Sequence, residues 1–462
     1  MFDAKTYVER RKMLKKDVKS GLILFVGNTE SPMNYVANTF HFRQDSSFLY
    51  FFGHDKPDFY GLIDVDADKD YLFGQDFTLE DIIWMGPQPL VRDLGLQVGI
   101  EHTGDPAQLK EMLKDAQGKQ RKIHFLPPYR GETKITLHQW LNLPLDSLKQ
   151  EASVDLIKAV VKQREIKSPA EVAEIEKALA VSWQMYNEIL KMARPGVYER
   201  EITGKIEGIA GSAGGYIAFP VILSVHGETL HNHAHGNQLK QGNLLVADSG
   251  AESPEYYASD ITRTFPVGGT FTPRQKEIYE IVLKAQMTAI EAIRPGKKYK
   301  EVHLQVARVI AEGLKAIGLM KGDMAAAVEN GAHALFFPHG IGHMLGLDVH
   351  DMENFGEDYI GYDDTVQRST QFGLAYLRLA KELKPNFVLT VEPGIYFIPA
   401  LIDLWKQEKK WSDFIDYGKV ETYKDFGGIR IEDDVLVTAD GFRVLGRPIP
   451  KKVAEIASIM MG

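Results

Sequence analysis

The sequence predicts an α/β protein, in places α+β, with a smaller first domain and a larger second domain made of two related halves. Three observations carry that reading. Short apolar segments alternate with helical stretches up to about residue 155. Two helix starts of one design then recur, at Ser168 and Thr272. Beyond them, acidic residues stand inside apolar, strand-like runs, where a carboxylate needs a partner.

In order along the chain, residues 5–20 are charged and amphipathic and read as a helix. GLILFVGN (21–28) reads as a buried strand ending in a turn. FRQDSSFLYFFG (42–53) is aromatic-rich and meets the turn HDKPD. YGLIDVDADKDYLFG (60–74) alternates and turns like a hairpin. RKIHFLPPY (121–129) reads as a further strand, and a helix over 150–164 joins the two domains, expected at 1–155 and 156–462.

The second domain opens with Ser168-Pro169-Ala170-Glu171, a capping box with proline at the first helical position. Its helix stops at Arg194-Pro195-Gly196. Thr272-Pro273-Arg274-Gln275 repeats the box, and that helix stops at Arg294-Pro295-Gly296. The caps are 104 residues apart and the stops 100. After each stop a glutamate, Glu201 or Glu301, opens another helical stretch. The pattern predicts an internal duplication, each half being two helices followed by strands, with a cleft between the halves.

Composition narrows the chemistry. Of 462 residues, 44% are hydrophobic and 25% charged, enough for a folded core. The formal net charge of −9 argues against a nucleic-acid partner. With no cysteine, disulfides and thiolate metal sites are excluded, and any metal must take oxygen and nitrogen ligands. No apolar run reaches the ~18 residues of a membrane span, and the charged start lacks a signal-peptide pattern. The expectation is a cytoplasmic enzyme without a membrane partner.

Five segments carry the candidate site. LLVADSGAE holds Asp248 and SDITRTFPV holds Asp260, both at strand edges where a side chain can enter a cleft. Either aspartate alone is more often a turn or cap residue. Glu392 in FVLTVEPGIYF and Glu432 in GGIRIEDDVLV stand in otherwise apolar strands. Strand alternation puts Arg430 and Glu432 on one face, either as a buried ion pair or as a ligand with its support. The fifth segment, GAHALFFPHGIGHMLGLDVHD, carries four histidines. His339 and His343 have helical zinc spacing, but the glycines between and beside them argue against a helix. His343 is preferred as a ligand, with His350 in a catalytic or supporting role, whereas His333 reads as structural. Four carboxylates and one imidazole suit two divalent ions, which can share and acidify a water.

These segments resemble the proline-specific metallopeptidases, aminopeptidase P and prolidase (Xaa-Pro dipeptidase), over nearly the whole chain. FRQDSSFLYFFG and REIKSPAEVAEIEKA resemble that family's N-terminal domain and its entry to the catalytic domain. The resemblance implies a pita-bread catalytic domain with pseudo-twofold halves. It implies that Asp248 binds one metal, that Asp260 and Glu432 bridge two, and that His343 and Glu392 complete the second. Glu392 also carries a proton, His350 stabilises the oxyanion or positions substrate, Arg430 supports the acidic cluster, and Arg378 holds substrate carboxylate or backbone. Two Mn2+ ions are expected, with Co2+ or Zn2+ as alternatives.

The family also has a histidine upstream of the first aspartate. Here SVHGETLHNHAHGN offers His226, His231, His233 and His235, of which His231 matches best as a catalytic or substrate-binding group. The long segment 398–426, with Trp405 and Trp411, resembles eukaryotic-type prolidases and reads as surface insertion or cleft wall. The substrate expectation is a short peptide with proline second, the dipeptide slightly favoured over longer peptides. A homodimer or homotetramer is expected on resemblance. A metal-free creatinase-like enzyme or a non-catalytic binding protein of this fold would have lost ligands that this chain keeps.

Overall fold

The computed structural model describes residues 1–461. They form two compact units, Met1–Arg164 with Asn354–Tyr359, and Glu165–Glu353 with Ile360 onward.

The first unit is built on a five-stranded mixed sheet. Strand Leu22–Val26 lies between Tyr60–Asp64, antiparallel, and Ile123–His124, parallel; Lys69–Phe73 and His102–Gly104 extend the far edge. One face buries Leu22, Leu24 and Leu62 with Leu109 and Leu113 of helix Pro106–Gly118. Phe25 meets Phe51 and Phe52, ring centroids 5.1 and 5.6 Å apart. Those two rings belong to helix Ser46–Phe52, every residue of which is buried. The aromatic segment is therefore a short helix, capped by Asp45, whose side chain accepts from Phe48 N–H. Helix Ala4–Val18 sends the fully buried Arg11 inward, where it donates to Phe51 O, Val98 O and Asp70. The strand expected over 121–129 is only two residues long, because prolines 127 and 128 lack the N–H a ladder needs.

The second unit shows the duplication. Both capping boxes form: Ser168 and Glu171 at the start of helix Pro169–Met192, Thr272 and Gln275 at the start of helix Pro273–Ala292. The two helices are 24 and 20 residues long, and that four-residue difference accounts for offsets of 104 at the caps and 100 at the stops. Each stop turns on a glycine in the left-handed region, Gly196 at φ +94° and Gly296 at φ +83°. Each glycine N–H is taken up by a later strand-like segment, Leu239 O and Leu383 O respectively. Second helices follow, Glu199–Ser212 and Tyr299–Ala316.

Short antiparallel sheets complete the halves. The first half contributes Ile222–Ser224, Leu244–Ser249 and Ile261–Pro266; the second contributes Val388–Val391 paired with Asp433–Val437, and Gly394–Tyr396 paired with Gly428–Arg430. The halves are stitched by Thr264 Oγ1 donating to Arg430 O at 3.0 Å and by Glu432 N–H donating to Thr262 O at 3.0 Å. Arg430 and Glu432 do not share one continuous strand: the ladder breaks between them, and Glu432 sits in the break. No helix among the described residues is long and apolar enough to cross a membrane.

Candidate metal centre

The strand ends of the two halves meet at the acidic residues. Asp248 lies in Leu244–Ser249, opposite Thr262 of the neighbouring strand, and Asp260 directly precedes that strand. Glu392 follows Val388–Val391, its N–H donating to Ile341 O at 2.9 Å. The loop carrying His343 is sewn to the same strand: His343 N–H donates to Thr390 Oγ1, and Thr390 N–H to His343 O. This close run explains the glycine between the histidines. A Cβ on Gly342 would lie 2.0 Å from Thr390 O.

One side-chain atom each of Asp260, His343 and Glu432 falls within 4.8 Å of the others. His343 Nε2 is 3.4 Å from Asp260 Oδ2 and 3.7 Å from Glu392 Oε1. His343 Nδ1 lies 3.0 Å from Met344 O, which can only accept, so Nδ1 carries the proton and Nε2 turns its lone pair to the carboxylates. Burial drives the His343 imidazole well below its ordinary range. Burial also pushes the Asp260 and Glu432 carboxyls far up, neighbouring carboxylates adding to it, and raises Glu392 to about 7.

The Arg430 guanidinium stands against this acidic charge. Arg430 pairs with Asp248 at 2.5 Å, and also donates to Thr262 Oγ1 and Tyr396 OH. Its salt-bridge partner is thus Asp248 and not Glu432. Asp248 Oδ1, Asp260 Oδ1 and Glu432 Oε1 are buried without a hydrogen-bond partner. Buried carboxylate oxygens are rarely left so. Oxygen and imidazole donors with uncompensated negative charge fit hard or borderline divalent cations.

The cluster floors a cavity of about 650 Å³ whose wall includes His231, His233, His339, His350, Arg378 and Phe372. His339 stays neutral, burial drawing it down to about 3, and it joins Tyr396 OH at 2.9 Å in a chain that ends on Arg430. His350 and Arg378 both hydrogen-bond Glu353. Of the four upstream histidines, His231 and His233 reach this wall. His226 lines a different cavity and His235 bonds Leu223 O. Ile398 and Leu401 bring the long 398–426 segment to the wall, and Trp405 packs behind it on Phe372, ring centroids 5.8 Å apart. His333 is buried away from it, both ring nitrogens unpartnered.

Sequence reasoning missed Tyr396, Thr262 and Glu353. Tyr396 carried a signal, four residues after Glu392 in the same strand-like run; Glu353 carried none.

Residues 173–439 match the model of metallopeptidase family M24, and residues 7–124 match the aminopeptidase P N-terminal domain. The chain belongs to family M24. Among M24 relatives, it is 32% identical to human Xaa-Pro dipeptidase, over 96% of this chain and 90% of that one. It is 33% identical to a probable Xaa-Pro aminopeptidase of Fusarium vanettenii, over 91% and 87%. The fold matches Pseudomonas aeruginosa aminopeptidase PepP with a TM-score of 0.81 at 28% identity, covering 100% of this chain and 98% of the other. Escherichia coli aminopeptidase P bound to the inhibitor Pro-Leu matches at 0.80, with the same identity and coverage. M24 membership implies divalent metal ions, which the orphaned carboxylate oxygens accommodate.

Proposed function

We propose that this M24 chain is a dinuclear-metal peptidase that cleaves the bond before proline in a peptide whose second residue is proline. The observation that carries it is the convergence of Asp248, Asp260, His343, Glu392 and Glu432 on one cavity, three of them with buried, unpartnered oxygens. The relatives' specificity supports the choice of bond.

In this reading Asp248, Asp260, His343, Glu392 and Glu432 would together hold two ions. Manganese is the proposed ion, since hard carboxylate oxygens dominate the donor set. Two such ions would supply Lewis acidity to a water and to the scissile carbonyl. The protein does the rest. Arg430 holds Asp248 in place, and Thr262 holds Glu432 by a 2.6 Å hydrogen bond. Glu392 takes a proton at its carboxylate and returns it to the proline nitrogen, which has no hydrogen of its own. His350, its Nδ1 engaged by Glu353, turns Nε2 to the developing oxyanion. His231 lines the substrate side, and Arg378 meets whatever follows the proline ring.

A free proline carboxylate is the natural partner of Arg378, so a dipeptide is the preferred substrate. The second reading, an aminopeptidase for longer peptides, has one observation in its favour: Arg378 is already engaged by Glu353. A homodimer or homotetramer is proposed as well. Helix Leu79–Met85 buries none of its residues, and Ile83 and Trp84 are 70% and 78% exposed, a surface suited to a second copy.

Chelation should abolish Xaa-Pro hydrolysis and Mn2+ or Co2+ should restore it. Comparing kcat/KM for an Xaa-Pro dipeptide and its extended form decides length: a faster extended peptide removes the dipeptidase reading. Cleavage of an unrelated peptide but neither of these removes the proline assignment.

A further inference from the structure

The Glu353 carboxylate lies between two groups on the cavity wall. Oε2 accepts from His350 Nδ1 and Oε1 accepts from Arg378 Nη1. The hydrogen bond from His350, with Arg378 adding to it, holds the Glu353 carboxyl at about 2, so it is ionised near neutral pH. Its side chain is 41% exposed and that of Arg378 32%, which leaves the pair within reach of a bound peptide.

We infer that Glu353 is a positioning and specificity residue, orienting His350 while tempering Arg378, and so sets how strongly a free carboxylate on proline is favoured. The inference rests on the proposed Xaa-Pro reading. An arginine paired with Glu353 offers an incoming carboxylate attraction from one partner and repulsion from the other. A neutral or extended C-terminal side meets no such repulsion. Glu353 is thus the residue that shifts the balance from dipeptides toward longer peptides, whereas its hold on His350 bears on all substrates alike. Unit charges about 6 Å apart in a half-exposed site change an equilibrium by roughly tenfold.

The test compares alanyl-proline, alanyl-prolinamide and alanyl-prolyl-alanine on the metal-loaded full chain. Glu353→Gln should raise the ratio of kcat/KM for alanyl-proline over the amide by about tenfold, and over the tripeptide in the same direction. Its kcat should fall by one common factor. In an Arg378→Ala background the same change should leave the ratio unmoved. An unchanged ratio in Glu353→Gln overturns the inference, and so does a rise that persists without Arg378. If that variant turns over too slowly, calorimetric binding of L-proline and L-prolinamide reads the same preference. A tilt toward proline supports the inference and equal changes overturn it. A wild-type chain that cleaves none of the three peptides overturns the proposed reaction and this inference with it. An active wild type with an unmoved ratio overturns this inference alone.

Discussion

Replacing Thr262 with valine should weaken metal binding without touching a ligand. Thr262 is fully buried; its hydroxyl donates to Glu432 Oε2 at 2.6 Å and accepts from Arg430 Nε at 3.2 Å. Valine keeps the shape and removes both bonds. A hydrogen bond to a charged group contributes about 1.5–3 kcal/mol, and an unpaired buried charge costs at least as much. Since ~1.4 kcal/mol is a factor of ten, loss of the bond that orients Glu432 should raise the metal Kd by roughly 10- to 100-fold. Competition titration of the apoprotein with Mn2+ against a fluorescent chelator measures it. Thr262→Ser, which keeps the hydroxyl, should bind within a few-fold of wild type. A valine variant whose Kd stays within twofold of wild type would refute the view that Thr262 holds Glu432 for the metal.

Four further outcomes are expected. Metal binding should tighten as pH rises through about 7, because Glu392 is held at about 7 and Asp260 and Glu432 are also raised, so protons must leave for an ion to bind. The same raised carboxyls bind more protons folded than unfolded, so the metal-free protein should lose stability as pH rises from the ordinary carboxylate range through about 7. Melting curves with and without Mn2+ between pH 5.5 and 8 check both signs. Gly342→Ala should not accumulate as folded protein, since its Cβ would collide with the Thr390 carbonyl at 2.0 Å; soluble yield and circular dichroism decide this. Lys167→Met should cost about 3–5 kcal/mol in a denaturant melt, as it removes the cation from a buried ion pair whose side chains are each 1% exposed.

What could be read in the chain was local or costly. The caps at Ser168 and Thr272 involve atoms three residues apart, so four letters suffice to see them. Glu392 and Glu432 stood out because an apolar strand does not carry a carboxylate without reason. Helix Ser46–Phe52 was hidden for the opposite cause: it is buried on every side, so no exposed face gives it a polar–apolar periodicity. The partner of Arg430 was hidden by distance, Asp248 lying 182 residues away with an equally plausible glutamate two residues off. Glu353 follows His350 in an ordinary turn, and only the fold brings Arg378 to it, 25 residues further on.

The stitching of the two halves by Thr262, Thr264, Arg430 and Glu432 has a temporal side. Asp248 and Asp260 come from the first half and His343, Glu392 and Glu432 from the second, so the proposed ligands lie up to 184 positions apart, from 248 to 432. Neither half alone can assemble them. Contacts this remote in sequence carry a loop-closure cost that local ones do not, and they slow folding. An ion that binds only the finished arrangement favours it by mass action. The metal would then act as a latch between the two halves, and its uptake would report that both have come together.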